Sequence, residues 1–334
     1  MSPPQPTIHD HTDNPSSLLS ALQAHLPYSI PLYNRIRHPR KTPNASILST
    51  ISPSTPADAV PRCWAACYFD RSTRPETEMW IFSPGEMDEH YQRNDKNEDP
   101  QFCATCRQSI LGLFAHLRTL PLPPALPASV PGSTMASQYL THLPHPSVLT
   151  LGTCHKRIIS LLNDHNMVRS DFPGREAELK KYIFRLSDLP SESLLTLPDG
   201  LRWGQVRDVD MAMVQSRNEI PRTAKTLLSL PSTSVHEETS GNIVAWAFLG
   251  LDGSLTSLHT EDEWRGRGIA KAVSARLFRE HSDEMAVDTA GNAWGHADVY
   301  LGNEGSEAMC RRLGGRDMWR HFWVRVDLER ALQG

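Results

Sequence analysis

Apolar residues in the second half of the chain change their spacing from segment to segment, and each change predicts an element. Asn242–Gly250 is a run rich in Val, Ile, Trp and Phe, the composition of a strand. Asp252-Gly253 then supplies a type I′ hairpin signal, so Ser254–Thr260 pairs back antiparallel. Its apolar residues Leu255 and Leu258 are three apart rather than two, which predicts a β-bulge. From Ile269 the period becomes helical, with Ile269, Ala272, Val273 and Leu277 on one face. Upstream, Leu201–Val206 reads as a strand, and Asp208–Ser216 and Arg222–Leu230 as helices. Downstream come a strand at Ala297–Leu301, a helix at Ser306–Leu313 and a closing strand at Trp319–Val326.

The first half reads as a second α/β unit. Pro15–His25 and Ile30–Arg37 predict helices, the first capped by Asn14 and ended by Leu26-Pro27. Ala45–Ser52, Cys63–Asp70 and Thr77–Ser83 predict strands, and acidic Glu86–Pro100 a loop. Gln101–Thr119 carries Ile110, Leu111, Phe114 and Leu117 on one helical face. Leu120–Pro131 holds five prolines in twelve residues, which makes a stiff linker or surface excursion. A strand at Ser147–Leu151, a helix at Cys154–Asp164 and a strand at Glu178–Leu186 follow. The polar, proline-containing Leu189–Gly200 is the expected boundary. The division is therefore a solvated tail over residues 1–14, one domain over 15–190 and another over 200–334.

Size and charge narrow the function classes. A chain of 334 residues accommodates two domains. Its net charge of −4, without a long Lys/Arg run, argues against a nucleic-acid partner. No apolar run approaches the roughly 18 residues that cross a bilayer, and the start lacks a secretory pattern, so no membrane partner and a cytoplasmic location are expected.

Six cysteines include two close pairs, Cys63-x-x-x-Cys67 and Cys103-x-x-Cys106. A four-thiolate zinc site is one reading of them. Packing is the preferred one, because Trp64–Phe69 looks like a buried strand and unpaired Cys is among the most buried residue types. No metal is expected.

The densest chemistry lies between the hairpin and its following helix, in Glu263-Trp264-Arg265-Gly266-Arg267-Gly268-Ile269-Ala270. A helix that opens from a glycine turn offers unpaired N–H groups and the positive end of its dipole to an anion. Gly266 and Gly268 admit close approach, and Arg265 and Arg267 add positive charge. A phosphate or pyrophosphate group suits such a turn. A Rossmann site would need a third glycine, where Ala270 and Lys271 stand instead.

These residues resemble the R/Q-x-x-G-x-G/A motif of the GNAT N-acyltransferase superfamily. Asn303-x-x-Ser306-x-x-Met309-Cys310-x-Arg312-Leu313-Gly314 resembles its second signature, N-x-x-A-x-x-L-Y-x-K-L-G. Val244-Ala-Trp246, Asp252-Gly253 and Thr260–Arg265, with the helix at Val209–Val214, look most like the glycine N-acyltransferase family. The resemblance spans about Leu201 to Val326, and such relatives carry a degenerate GNAT-like half in front. It implies a GNAT fold: α/β, a twisted mixed sheet flanked by helices, in two tandem domains.

The resemblance also implies a reaction. Acetyl-CoA or another acyl-CoA is the co-substrate, and the acyl group passes directly to the amine of a small molecule such as an amino acid. Backbone N–H groups of Arg267, Gly268, Ile269 and Ala270 would hold the pyrophosphate, within the Arg265–Ala270 turn. The strand around Leu258 and Thr260 would pair with the pantetheine amides and polarise the thioester carbonyl. Asn303 and Ser306 would touch the other side of the CoA arm. The family's glutamate base falls at Ser254 here, so His259 is the preferred base, with Glu261 and Glu263 as carboxylate alternatives. The usual tyrosine acid falls at Cys310, with Tyr300 as another source of the proton. The departures at Ser254 and Cys310 also fit a non-catalytic acyl-CoA-binding protein. Acylation of a protein N-terminus or lysine would call for a strongly charged groove, which the sequence does not contain.

Overall fold

The computed structural model describes residues 5–87, 102–124, 140–172, 178–218 and 222–332. Most of the Glu86–Pro100 loop and the second half of the Leu120–Pro131 segment fall outside them. The chain divides into two compact units, the first running to Glu178 and resuming at Arg320, the second holding Leu179–Trp319.

The first unit builds its sheet from five early strands. They are β1 (His9–Asp10), β2 (Ser46–Ser49), β3 (Ala66–Phe69), β4 (Met79–Phe82) and β5 (Val148–His155). Helices α1 (Ser16–Gln23), α2 (Ile30–Arg37), α3 (Ala104–Leu117) and α4 (Lys156–Asp164) accompany them. β1 to β4 pair antiparallel in order, and β4 then meets β5 in parallel at Met79↔Leu151. Ile110, Leu113, Phe114 and Leu117 of α3 and Ile158 and Leu162 of α4 bury against this sheet, as their 3.6-residue spacing requires.

The tail expected over residues 1–14 is a correction. His9–Asp10 pairs with Leu48–Ser49, and the His11 ring, buried, bonds the Ile51 carbonyl through Nε2 at 2.8 Å. Ile8 packs on the core beside this short strand. A two-residue strand carries too little apolar pattern to be read from sequence. The helix expected from Cys154 begins later, at Lys156, because all eight residues of β5 are buried and continue the strand to His155.

The second unit opens with β6 (Glu178–Arg185) and β7 (Leu201–Gly204). The short helices α5 (Met211–Ser216) and α6 (Ala224–Leu228) follow, then β8 (Ser232–Glu237), β9 (Ile243–Leu249) and β10 (Ser254–Thr260). α7 (Ile269–Glu280), β11 (Ala286–Val287), β12 (Ala293–Tyr300) and α8 (Glu304–Arg312) complete it. β7, β8, β9 and β10 form an antiparallel meander, β10 then pairs in parallel with β12, and β12 pairs antiparallel with β6. The face carrying Val244, Ala247 and Leu249 packs on α7, while Trp246 and Phe248 on the other face pack on α5 and α6.

Two observations in this region were invisible to the hydrophobic pattern. β8 reads Ser-Thr-Ser-Val-His-Glu, yet its polar side chains are satisfied internally: Ser234 Oγ meets His236 Nε2 at 2.8 Å and Thr233 Oγ1 donates to Glu280 at 2.9 Å. The last strand, β13 (Arg316–Asp327), pairs with β5 from His321 to Asp327 and so completes the sheet of the first unit.

Candidate functional site

The site grows from a fault in a sheet. β10 and β12 have registered partners only at Ser254↔His296 and Leu255↔Ala297, although both strands continue for several residues. On the other edge of β10 the register to β9 jumps from Thr256↔Phe248 to His259↔Trp246, so three steps on one strand oppose two on the other. Ser257 takes the strain of this bulge, with φ at +51°. The bulge predicted from Leu255 and Leu258 is present. It keeps Leu258 on the α7 side of the sheet and turns His259 onto the face of Trp246.

β10 ends in a turn that opens α7. Gly266 and Gly268 have φ of +78° and +80°, and Gly268 is the N-cap, without a side-chain cap. Ala272 N donates to Gly268 O at 3.1 Å, so the N–H groups of the first turn have no partner within the helix. A Cβ added at either glycine meets nothing within 4 Å. The glycines therefore serve a left-handed backbone facing open space. Arg265 braces the turn: Nε donates to Thr260 O at 3.0 Å and a terminal nitrogen pairs with Asp262 at 2.9 Å. Arg267 lies over Trp264, 4.8 Å from the ring centroid. Both arginines are exposed at the rim, Arg265 tied to the turn and Arg267 lying over an aromatic ring.

His259 is the titratable group of the bulge. Its ring stacks on Trp246 with centroids 4.8 Å apart and planes at 27°. Nε2 lies 3.2 Å from Glu261 Oε1, a charge-pair distance without hydrogen-bond alignment. Glu261 is gripped by Arg217, which donates to both carboxylate oxygens at 3.0 Å. Burial lowers the His259 pKa from its ordinary value, against the opposing pull of Glu261. Arg217 holds the Glu261 carboxyl below its usual range. The imidazole is therefore neutral at physiological pH, free to accept a proton. Glu263 lies exposed in the turn.

The remaining predicted residues are distributed unevenly. Tyr300 ends β12, half-buried, on the strand that diverges from β10. Cys310 lies in the hydrophobic core with Leu313 and Phe278, and burial pushes its thiol up to about 12. Asn303 caps α8, its side-chain oxygen accepting from Ser306 N at 3.1 Å. Leu258 packs partly buried on the α7 core, and the Thr260 hydroxyl is buried without a partner.

Sequence reading missed a buried polar cluster where β10 and β12 begin their parallel pairing. Lys181, from β6, pairs with Asp298 and contacts His296 Nδ1 at 3.2 Å, while His296 Nε2 donates to Asp252 O at 2.8 Å. Burial first, then Lys181, brings the His296 pKa down to about 4. Asp252 Oδ1 accepts from Ser254 Oγ at 2.6 Å. These bonds fasten the two strands just before they part. Charged residues in strands carry no apolar signal, so only the pairing of β6 with β12 reveals them.

Residues 5–182, just over half of the chain, match the family described as the acyl-CoA N-acyltransferase verG N-terminal domain. The chain belongs to that family. No curated protein matches the sequence. Among solved structures, a Drosophila malonogaster protein determined by structural genomics has 14% identity and a TM-score of 0.57, over 97% of this chain and 99% of that one. A GCN5-related N-acetyltransferase from Sphaerobacter thermophilus has 15% identity and a TM-score of 0.45, over 85% of this chain and 81% of that one. A tandem GNAT protein from the clavulanic acid biosynthesis pathway has 11% identity and a TM-score of 0.48, over 96% and 98%. The fold expected from sequence is the one observed: a mixed α/β architecture in two units, each with an antiparallel arm leading into one parallel strand pair. Membership of the family ties the chain to acyl-CoA chemistry in general, and among the described residues no helix is long and apolar enough to cross a membrane.

Proposed function

We propose that the protein transfers the acyl group of acetyl-CoA or another short acyl-CoA directly to the amine of a small molecule such as an amino acid, in the manner of the glycine N-acyltransferases. The observation that carries this reading is the bulged β10, diverging from β12 and ending in an open, uncapped glycine turn at the start of α7. The N–H groups of Arg267, Gly268, Ile269 and Ala270 would receive the pyrophosphate there. Backbone groups of Leu258 to Thr260, on the edge facing the gap, would hold the pantetheine arm and polarise the thioester carbonyl. Asn303 and Ser306 contribute by fixing the start of α8 beside that arm, since the Asn303 side chain is already spent on the cap.

In the chemical step the amine nitrogen attacks the thioester carbon, and the carbon–sulfur bond breaks in favour of the new amide. His259 takes the amine proton, and Glu261 stabilises the imidazolium that forms. Tyr300 is the better placed of the two acid candidates to protonate the departing thiolate. Cys310 is enclosed in the core, and its thiol is too weak an acid to give up a proton readily. Holding both reactants in one gap supplies much of the acceleration. The reaction is expected to run in the cytoplasm, with the CoA thioester and the amine as its partners.

Burial of Cys310 also favours a second reading, a non-catalytic acyl-CoA-binding protein. A thiol-release assay with acetyl-CoA and longer acyl-CoAs against a panel of amines separates the two. Turnover of one amine supports the transferase. CoA binding without turnover on any amine sinks it and leaves the binding protein.

A further inference from the structure

Three thiols distant in sequence meet at the start of α3. Cys103 is the N-cap of this helix, its Sγ accepting from Cys106 N at 3.5 Å. Cys106, three residues on, brings a second sulfur to the same helix end. Cys63, in the connection before β3, sets its Sγ 3.4 Å from that of Cys103. All three sulfurs lie within 4.8 Å of one another. The sequence had paired Cys63 with Cys67, but Cys67 is on β3 in the hydrophobic core, where burial raises its thiol pKa.

The spacing fits a shared ion. Thiolates 2.3 Å from a tetrahedral zinc stand about 3.8 Å apart, between the 3.4 Å contact and the 4.8 Å limit. A disulfide could join only two of the sulfurs and would strand the third. Simple core filling is a poor account, because Cys63 and Cys103 are only half-buried whereas the other four cysteines are buried. The surroundings favour anionic sulfur: the dipole and unpaired N–H groups of a 14-residue helix point at the cluster. Burial works against ionisation of Cys103, yet hydrogen bonds from Cys106 N and from the Cys63 thiol bring its pKa down. Burial raises Cys63 and Cys106. A cation that binds there would displace the protons of the thiols that ligate it.

The two units use equivalent places differently. In each, the strand that enters the parallel pair, β4 or β10, is the last described strand before a long helix, α3 or α7. The second unit leaves its helix start to glycine and open space. In the first unit a Cβ on Gly85 would meet the Phe102 ring at 2.5 Å and Cys106 Cβ at 3.2 Å. Among the described residues, the helix end is lined by an aromatic ring and by sulfur.

We propose that Cys63, Cys103 and Cys106 bind one thiophilic divalent cation of the zinc class, with the fourth tetrahedral position filled from solvent. Three thiolates and the ion leave a single negative charge, next to Arg62 in the chain. No redox step is involved; each thiol that ligates releases its proton. The ion ties the connection before β3 to the first turn of α3 across 40 residues of chain. α3 in turn supplies Ile110, Leu113, Phe114 and Leu117 to the core, so the ion is structural, not part of acyl transfer.

The test titrates the full chain, reduced with a phosphine, with cobalt(II) and follows thiolate-to-cobalt absorption, with zinc content measured by mass spectrometry. One equivalent of tetrahedral cobalt, displaced by zinc, is expected. Cys103→Ser is the decisive variant. Serine is itself a favoured N-cap, so the helix end is kept while the ligand is lost, and affinity should fall at least about tenfold. Cys67→Ser should leave uptake unchanged. Absence of uptake by the reduced protein overturns the proposal, as does uptake indifferent to Cys103→Ser. A Cys63–Cys103 disulfide forming in air, in a protein that takes no metal when reduced, overturns it equally.

Discussion

His259 Nε2 and Glu261 Oε1 lie 3.2 Å apart at the end of the bulged strand, with the imidazole stacked on Trp246 and the carboxylate clamped by Arg217. The pair gives the proposed base a sign that kinetics can read. Burial depresses the His259 pKa, so the neutral, active form persists below the ordinary value of about 6.5. The acid limb of kcat/KM should therefore fall below that value. Replacing His259 by Ala should remove the limb and lower kcat/KM by about 10²–10⁴-fold. An unaltered pH–rate profile would exclude His259.

Glu261→Gln separates positioning from packing. Glu261 raises the His259 pKa against the effects of burial, Arg265 and Arg217. Its neutral isostere should shift the acid limb further down in pH and reduce kcat, with little change in KM for acyl-CoA. A limb that stays in place would show that the carboxylate does not act on the imidazole.

Gly268 tests the donor seat. Its φ of +80° makes Gly268→Ala cost stability even though space is open, by roughly 1–2 kcal/mol. Gly200, at +79° and equally open, should show the same cost and serves as control. Gly268→Trp should also abolish CoA binding by calorimetry, while Gly200→Trp should not. Equal CoA affinity in the two tryptophan variants would remove the turn as the pyrophosphate site.

Tyr300→Phe and Cys310→Ala divide the two acid candidates. Loss of the Tyr300 hydroxyl should lower kcat about tenfold or more. Cys310→Ala should leave kcat unchanged and reduce thermal stability, because the thiol fills the core beside Leu313. A large kcat loss in the alanine variant alone would reverse the assignment.

Two buried histidines predict acid lability. The pKa values of His296 and His155 are brought down to about 4 and about 3, in both cases mainly by burial. Between about pH 6.5 and these values the unfolded chain binds protons that the folded chain refuses, so stability rises with pH across that window. The thermal midpoint should fall steadily from pH 6.5 to pH 4. His296→Gln should flatten the fall, since the amide keeps a polar group without the proton uptake. An equally steep fall would show that other groups set the acid limit.

What the sequence determined follows from short range. The Asn242–Gly250 strand, the Asp252-Gly253 turn, the bulge implied by Leu255 and Leu258, and the helix after Gly268 each depend on neighbours in the chain, where period, turn chemistry and capping act. The glycine turn was legible for the same reason: only glycine accommodates φ near +80° at that cost. Tertiary structure decided what depends on partners far away in sequence. β8 was hidden because its polar residues are satisfied by one another and by α7, and the closing strand β13 could not be paired with β5 because that partner lies over 150 residues earlier. The role of Glu261 rests on Arg217, 44 residues away. The cysteines reversed most sharply. Proximity in sequence paired Cys63 with Cys67, but Cys67 lies within β3 and packs into the core while Cys63 precedes the strand, and the approach of α3 brings Cys103 and Cys106 to Cys63 instead.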